Sequence, residues 1–325
     1  MSLAVHLLRE TDEAFKAYLC ARLRPTVSVT FGRELPKPAD HDILVAGRPS
    51  REHITAGPDL QALIIPFAGL PPETVALMRD FPHVAVHNLH HNAVAAAEMA
   101  VTLLLAAAKF IVPIDRALRQ QDWRPRYRPN PAVVLEGKTA LILGFGAVGR
   151  RVAHLCRGLG MEVTATRRRA SSEGSEAVHP PEALHSLLPG ADALVIALPL
   201  TPETEGLIGR EELALLPPKA VLVNVGRGPI VDEEALYKAL CDGTLHAAGL
   251  DVWYNYPEDD ASRSNTPPSA HPFHGLDNVV MSPHRAGTGG AEEIEQRRMA
   301  HLARLLNAAA AGEEMPNRVD LDVGY

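Results

Sequence analysis

The chain has 325 residues, enough for two domains of ordinary size, and its 46% hydrophobic and 22% charged content is that of a folded globular enzyme. A net charge of −7, from 32 basic against 39 acidic residues, argues against a nucleic-acid binder, which would carry a basic surface. Cys20, Cys156 and Cys241 lie far apart without paired spacing, which excludes a disulfide framework and predicts a reducing, cytoplasmic location.

The N-terminus shows no charged-then-apolar leader pattern. Short apolar runs at residues 4–8, 27–31, 43–46, 62–66 and 84–86 then alternate with helical patterns. Phe15, Tyr18, Leu19 and Leu23 recur at helical spacing after Thr11 or Asp12 as N-cap. This alternation predicts a parallel sheet with crossover helices. His83 and His87 flank Val84 and Val86 and read as solvent-facing; neither they nor His90 and His91 have metal-ligand spacing, so no metal is predicted.

Residues 93–112 are almost entirely apolar and predict one long buried helix at a domain or subunit junction. Glu98 and Lys109 leave too short an uninterrupted stretch to cross a bilayer. The following segment carries Arg116, Arg119, Arg124, Arg126 and Arg128 among prolines, and reads as a solvated arm or subunit contact rather than an anion site.

From Thr139 the strand pattern resumes, with runs at 139–143, 162–166, 193–198, 221–225, 247–252 and 279–282. The first ends in Gly144-x-Gly146-x-x-Gly149 and opens a helix. Gly144 permits a tight turn, Gly146 a close backbone approach to a pyrophosphate, and Gly149 close packing of helix on strand. The phosphates then rest on free N–H groups at the helix start. The next strand ends at Thr166, followed by Arg167, Arg168 and Arg169. An acidic residue here would accept from a ribose 2′-hydroxyl, whereas arginine pairs with a 2′-phosphate, which predicts NADP with NAD as the alternative.

Two side chains at strand ends carry chemistry. Arg227, between two glycines in NVGRGPIVDEEAL, offers a planar fork to a carboxylate, and Asp232 in the same segment reads as a helix N-cap. His284, in SPHRAG, can exchange a proton near neutral pH. Residues 257–275 read as a loop, and Ile294, Met299, Leu302, Leu305 and Leu306 mark the apolar face of a last helix.

Taken together, FAG at 67–69, NAVAAAE at 92–98, GFGAVG at 144–149, PLTPETEGLI at 199–208, NVGRGPIVDEEAL at 224–236, GLDVW at 249–253, SPHRAG at 282–287 and the closing Gly324-Tyr325 resemble the D-isomer-specific 2-hydroxyacid dehydrogenase family along nearly the whole chain. The resemblance implies an α/β architecture of two Rossmann-like domains with doubly wound parallel sheets. A cofactor domain over 93–287 is inserted into a flavodoxin-like substrate domain formed by 1–92 plus 288–325. It implies that Arg227 clamps the substrate carboxylate and polarises the 2-oxo group, and that His284 is the general acid/base. Ala68, Gly69, Leu70 and Asn92 would line the substrate pocket. Gly144, Gly146, Ala147, Val148, Gly149, Arg167, Arg168, Pro199, Thr204, Val225, Gly226, Asp251 and Ala286 would bind the cofactor, with Asp251 orienting the nicotinamide carboxamide. A homodimer through residues 93–130 is implied as well, with no membrane or nucleic-acid partner. Loops 66–72, 88–92 and 254–274 would set the choice of 2-oxo acid.

One position departs from the family. The segment DVWYNYPEDD places Tyr256 where the family carries a glutamate before proline, the partner of the catalytic histidine. A carboxylate would raise the histidine pKa, while a phenol can hydrogen-bond to the ring with much less charge stabilisation. Tyr256 is read as the replacement, with Glu258 and Asp259 as alternatives. His284 is therefore expected to titrate lower than in a glutamate-paired site. Two other functions compete with a 2-oxo-acid reductase. One is hydride transfer without an acid–base step, as in the family's formate dehydrogenases, which carry glutamine at this place. The other is a non-catalytic NAD(P)-sensing protein.

Overall fold

Continuous apolar runs four or five residues long cannot place a polar face toward water, so they pair in parallel and are covered on both sides. The computed structural model, which describes residues 2–168, 177–287 and 291–322, shows two such sheets. Arg169 and the closing Gly324-Tyr325 lie outside the described residues. By its internal contacts the chain divides into Met1–Asn92 with Thr288–Tyr325, and Ala93–Gly287.

In the first unit the elements are β1 (Leu3–Leu7), α1 (Glu13–Cys20), β2 (Val27–Phe31), β3 (Ile43–Val45), α2 (Arg51–Thr55), β4 (Ala62–Ile65), α3 (Pro72–Met78) and β5 (Ala85–Asn88). All strands run parallel, in the order β2-β1-β3-β4-β5 of flavodoxin-like sheets. Alternate residues face opposite layers. Ile43, Val45, Ala62 and Ile64 pack against Met299, Leu302, Leu305 and Leu306 of the last helix, Glu292–Ala310. Leu44, Leu63 and Ile65 pack against Ile54 of α2 and Met78 of α3. Each fully buried leucine contributes about 1.5–3 kcal/mol of transfer free energy. Asp12 takes the N-cap position of α1, without a side-chain cap bond. His87, expected at the surface, is buried on β5, with Nδ1 at 2.9 Å from the Pro316 carbonyl oxygen. The strand is covered on both faces, with Ala85 packed in one layer and Val86 in the other, so His87 is buried as well as its neighbour Val86.

The second unit contains α4 (Ala93–Ala108), α5 (Ile111–Arg119), β6 (Thr139–Leu143), α6 (Ala147–Gly158), β7 (Glu162–Thr166), β8 (Ala177–His179), α7 (Leu184–Leu187), β9 (Ala193–Ile196), α8 (Arg210–Leu215), β10 (Val221–Asn224), α9 (Glu233–Asp242), β11 (Ala247–Leu250) and β12 (Val279–Met281), before the last helix, α10. The strand order β12-β11-β10-β9-β6-β7-β8 reverses direction between β6 and β9, the switch point at which dinucleotides bind in such sheets. Ala140 and Ile142 face one layer, Leu141 and Leu143 the other. The short edge strand β8 has no clear apolar run, with only Val178 between Ala177 and His179, and its pairing with β7 reveals it. The expected single helix over 93–112 is two helices bent by 68°, because Phe110 adopts a left-handed φ of 54°. Helix α4 is buried against α6, β10 and β11, whereas α5 buries no residue.

Candidate active site

At the switch point the glycine turn is shaped by contact. Gly144 has φ of +96°, and a Cβ there would sit 2.8 Å from the Ala197 carbonyl oxygen after β9. A Cβ on Gly149 would sit 2.0 Å from the Gly144 carbonyl oxygen, so α6 packs down on the turn only with glycine. Gly146 differs: nothing lies within 4 Å of a Cβ placed there. It occupies the N-cap position of α6 with no side-chain cap, so the helix start faces open space. This cradle fits a pyrophosphate on the first-turn amides.

Strand β7 is tied to the turn, because the Thr166 carbonyl accepts from the Gly144 and Phe145 amides at 3.2 and 3.1 Å. Arg167 therefore follows directly beside the glycine turn, its amide bonded to the His179 carbonyl at 2.9 Å. The exposed Arg168 acts on Glu203, whose carboxyl is held below its ordinary range chiefly by the Thr201 hydroxyl. Thr204 Oγ1 donates to the Pro199 carbonyl at 2.7 Å and accepts from the Thr201 amide at 2.8 Å, which fixes the loop after β9. Val225 is tied to β9 through its amide and the Ile196 carbonyl, at 3.1 Å.

Strands β10, β11 and β12 lie side by side, so their carboxyl ends bring three segments together. Arg227 leaves β10 between Gly226 and Gly228. A Cβ on Gly226 would meet the Leu198 carbonyl oxygen at 2.6 Å, and one on Gly228 the Trp253 carbonyl oxygen at 2.3 Å. Buried Asn224 accepts from the Gly226 amide at 3.0 Å and donates to the Arg227 carbonyl at 2.9 Å, bracing the turn from within. Arg227 Nη1 donates to the Gly226 carbonyl at 2.7 Å.

Asp251, fully buried at the end of β11, directs its carboxylate at the loop after β12. Oδ1 accepts from the Ser282 hydroxyl and from the Arg285 amide at 2.7 Å, and Oδ2 accepts from the Ala286 amide at 2.9 Å. His284 sits inside this loop with a left-handed φ of 56°, its amide donating to the Asp251 carbonyl at 2.8 Å and the Ser282 carbonyl at 3.0 Å. Its ring reaches the surface, yet the surrounding protein and then the Arg227 guanidinium hold its pKa below 6.5, against the pull of Asp251.

The Tyr256 ring lies beside His284, with centroids 5.5 Å apart and planes tilted by 59°. The phenol oxygen accepts from the Trp253 amide at 3.1 Å, so the pair meets by ring contact and not by the expected hydrogen bond to the imidazole. Burial raises the phenol pKa, which keeps Tyr256 uncharged at neutral pH. Asp259 caps its own turn by accepting from the Ser262 amide at 2.8 Å.

In the first unit, the Ala68–Leu70 segment follows β4 and half-buried Asn92 follows β5. Asn88 Nδ2 donates to the Ala68 carbonyl at 2.7 Å, which fixes the first of these loops. Next to Asn92, buried His91 accepts from Arg298 Nε at 3.2 Å, and burial together with Arg298 pushes its pKa down to about 3. Sequence reading missed Asn224, Trp253, Asn88 and Arg298, because a polar or aromatic residue signals a partner only once the fold supplies it. Among the described residues no group of three or more His, Cys, Asp or Glu could hold a metal ion.

Known proteins of one family are similar to this chain. The profile of the D-isomer specific 2-hydroxyacid dehydrogenase NAD binding domain matches residues 101–286. A glyoxylate reductase of Aeropyrum pernix is 39% identical over 237 residues, covering 70% of this chain and 67% of that protein. A D-3-phosphoglycerate dehydrogenase of Methanocaldococcus jannaschii is 31% identical over 244 residues, covering 73% of this chain and 43% of its own length. Among solved structures, a D-isomer specific 2-hydroxyacid dehydrogenase of Xanthobacter autotrophicus Py2, in complex with NADPH and MES, superposes with a TM-score of 0.81 at 28% identity over 100% of both chains.

Proposed function

The chain belongs to the D-isomer-specific 2-hydroxyacid dehydrogenase family, and from that premise we propose that it reduces small 2-oxo acids of the glyoxylate class with NADPH. It is an NAD(P)-dependent 2-hydroxyacid dehydrogenase. The observation that carries this proposal is that Arg227 and His284 leave the carboxyl ends of β10 and β12, on either side of β11, close enough for the Arg227 charge to act on the His284 ring, in the sheet whose switch point holds the glycine turn. Bound nicotinamide supplies the hydride. Arg227 holds the substrate carboxylate and stabilises negative charge growing on the 2-oxo oxygen. His284, when protonated, gives its proton to that oxygen, and in the oxidising direction the neutral ring takes it back. Asp251 contributes by holding the His284 loop through three donors. In the first unit, Ala68–Leu70 and Asn92 are the proposed substrate contacts. Oxidation of NADPH by a panel of glyoxylate, hydroxypyruvate, pyruvate and larger 2-oxo acids tests the proposal. Tight NADPH binding with no turnover across that panel would sink it.

The preference for NADPH rests on Arg167 and Arg168 at the end of β7, beside the turn that receives the pyrophosphate. The NADPH-bound Xanthobacter structure supports the same reading. A charge-assisted hydrogen bond to a 2′-phosphate contributes about 1.5–3 kcal/mol, roughly ten- to a hundredfold in affinity. The double substitution Arg167→Ala, Arg168→Ala is therefore expected to lower kcat/KM with NADPH by about that factor while leaving the value with NADH within about twofold. Equal efficiency of the parent with the two cofactors would defeat the preference.

The proposed assembly is a homodimer through α5 and the segment after it. That arm exposes the apolar side chains of Ile111, Val112, Ile114 and Leu118, with Trp123 and Tyr127 at 60% and 80% exposure, surface that water does not favour. Sedimentation is expected to give twice the 35.0 kDa of one chain, and Leu118→Glu with Trp123→Glu to return it to one. A parent that sediments as a single chain would remove the dimer. A cytoplasmic location is proposed from the cysteines, all three of which are free thiols. Among the described residues no single helix is long and apolar enough to cross a membrane.

A further inference from the structure

The Arg227 turn and the His284 loop leave β10 and β12, with β11 between them, and Asp251 at the end of β11 joins the two through its amide to the Asn224 carbonyl at 3.0 Å and its carbonyl to the His284 amide at 2.8 Å. Trp253 forms a second bridge between them. Trp253 is buried at 4% exposure just beyond β11, between the two segments. On one side its backbone packs against Gly228 so closely that a Cβ there would lie 2.3 Å from its carbonyl oxygen and 2.5 Å from its carbonyl carbon. On the other side its indole Nε1 donates to the Ser282 carbonyl at 2.8 Å. That same carbonyl accepts from the His284 amide at 3.0 Å, so indole and catalytic histidine share one acceptor. Its own amide donates to the Tyr256 phenol at 3.1 Å, which holds the ring that lies tilted beside His284. Phe273 meets the indole edge-on at 6.0 Å and fixes its orientation.

We propose that Trp253 is a positioning residue that sets Arg227 and His284 in register, through backbone contact at Gly228 and the indole bond to Ser282. This rests on the reading that Arg227 and His284 carry the chemistry. The need for such a device follows from His284 itself. A non-glycine residue in the left-handed region costs about 1–2 kcal/mol and persists only where its surroundings over-determine it. The Ser282 carbonyl is one of the two acceptors that hold the His284 amide there, and Trp253 in turn fixes that carbonyl. The two halves of the contact are separable. The backbone half faces Arg227 and survives any side-chain change that keeps the local fold. The indole half faces His284 and depends on a single N–H.

The test is Trp253→Phe, which keeps an aromatic ring against Phe273 and removes the donor. Loss of one buried hydrogen bond corresponds to about a tenfold effect. The expected result is a fall of about tenfold in kcat for glyoxylate reduction, with KM within about twofold because the Arg227 side is left in place. The pH limb of the reaction is expected to move, because a displaced loop changes the placement of the His284 ring between the Arg227 guanidinium, which lowers its pKa, and Asp251, which raises it. A kcat and pH profile that overlay the parent, or a change confined to the melting temperature, would overturn the proposal. Should Trp253→Phe fail to fold, site-specific replacement of Trp253 by benzothienylalanine removes the N–H while keeping the bicyclic shape, with the same expected readouts. Failure of the underlying reading is distinguishable, since it would appear as undiminished turnover in Arg227→Ala rather than in the Trp253 variants.

Discussion

Arg227→Ala is expected to lower kcat/KM for 2-oxo acids by about 10³-fold or more, with NADPH affinity within about twofold of the parent. Removing a single neutral donor from a developing oxyanion costs about 10²–10³ in rate. Arg227 would supply in addition the charged fork for the substrate carboxylate. The surroundings leave no substitute in place: Gly226 and Gly228 are packed to contact, and Asn224 spends both side-chain groups on the turn's backbone. Arg227→Lys is expected to recover little of the loss, since an ammonium group cannot present two parallel donors to a carboxylate. Cofactor affinity should hold because the glycine turn and Arg167 sit at the exits of other strands, β6 and β7. Titrating NADPH fluorescence alongside steady-state kinetics separates the two effects. Turnover near that of the parent would take Arg227 out of the mechanism.

The parts of this site that could be read in the sequence are those where residue type alone carries the constraint. Gly144 and Gly149 are legible because only glycine tolerates the contacts that the switch point imposes. Arg227 and His284 are legible because a charged or titratable residue directly after an apolar run marks a strand exit. Residues whose role is set by a distant partner were not legible. Trp253 reads as one more apolar residue after β11 until Ser282 and Gly228 are seen around it. Asn224 reads as the last residue of an apolar strand, and its bonds to Gly226 and Arg227 appear only when the chain turns back. The break at Phe110 falls three residues before Pro113, whose missing N–H suits the first turn of a new helix, and His87 is buried because β5 is covered on both faces, which alternation with Val84 and Val86 does not show. The phenol of Tyr256 was expected to reach His284, but the Trp253 amide, three residues earlier in the chain, holds it instead.

That last difference determines how the acid–base step responds to pH. His284→Gln is expected to lower 2-oxo-acid reduction by about 10²–10⁴-fold, the usual worth of a positioned proton donor. In the parent, burial and the Arg227 charge hold the His284 pKa below 6.5, and the neighbour at Tyr256 is an uncharged phenol. The protonated ring is the proton donor in reduction, so kcat/KM for glyoxylate should be highest at low pH and fall as pH rises through that depressed pKa. In the oxidising direction the neutral ring is required, so activity should rise with pH through the same value. Tyr256→Glu places a carboxylate beside the ring and favours the imidazolium, which moves both limbs to higher pH. It also releases the Trp253 amide from the phenol, so Tyr256→Phe is the control that removes the hydroxyl without adding charge. The expected order of apparent pKa values is Tyr256→Phe close to the parent and Tyr256→Glu above both. A Tyr256→Glu profile that overlays the parent would show that residue 256 does not set the His284 pKa, and would leave burial and Arg227 as its determinants.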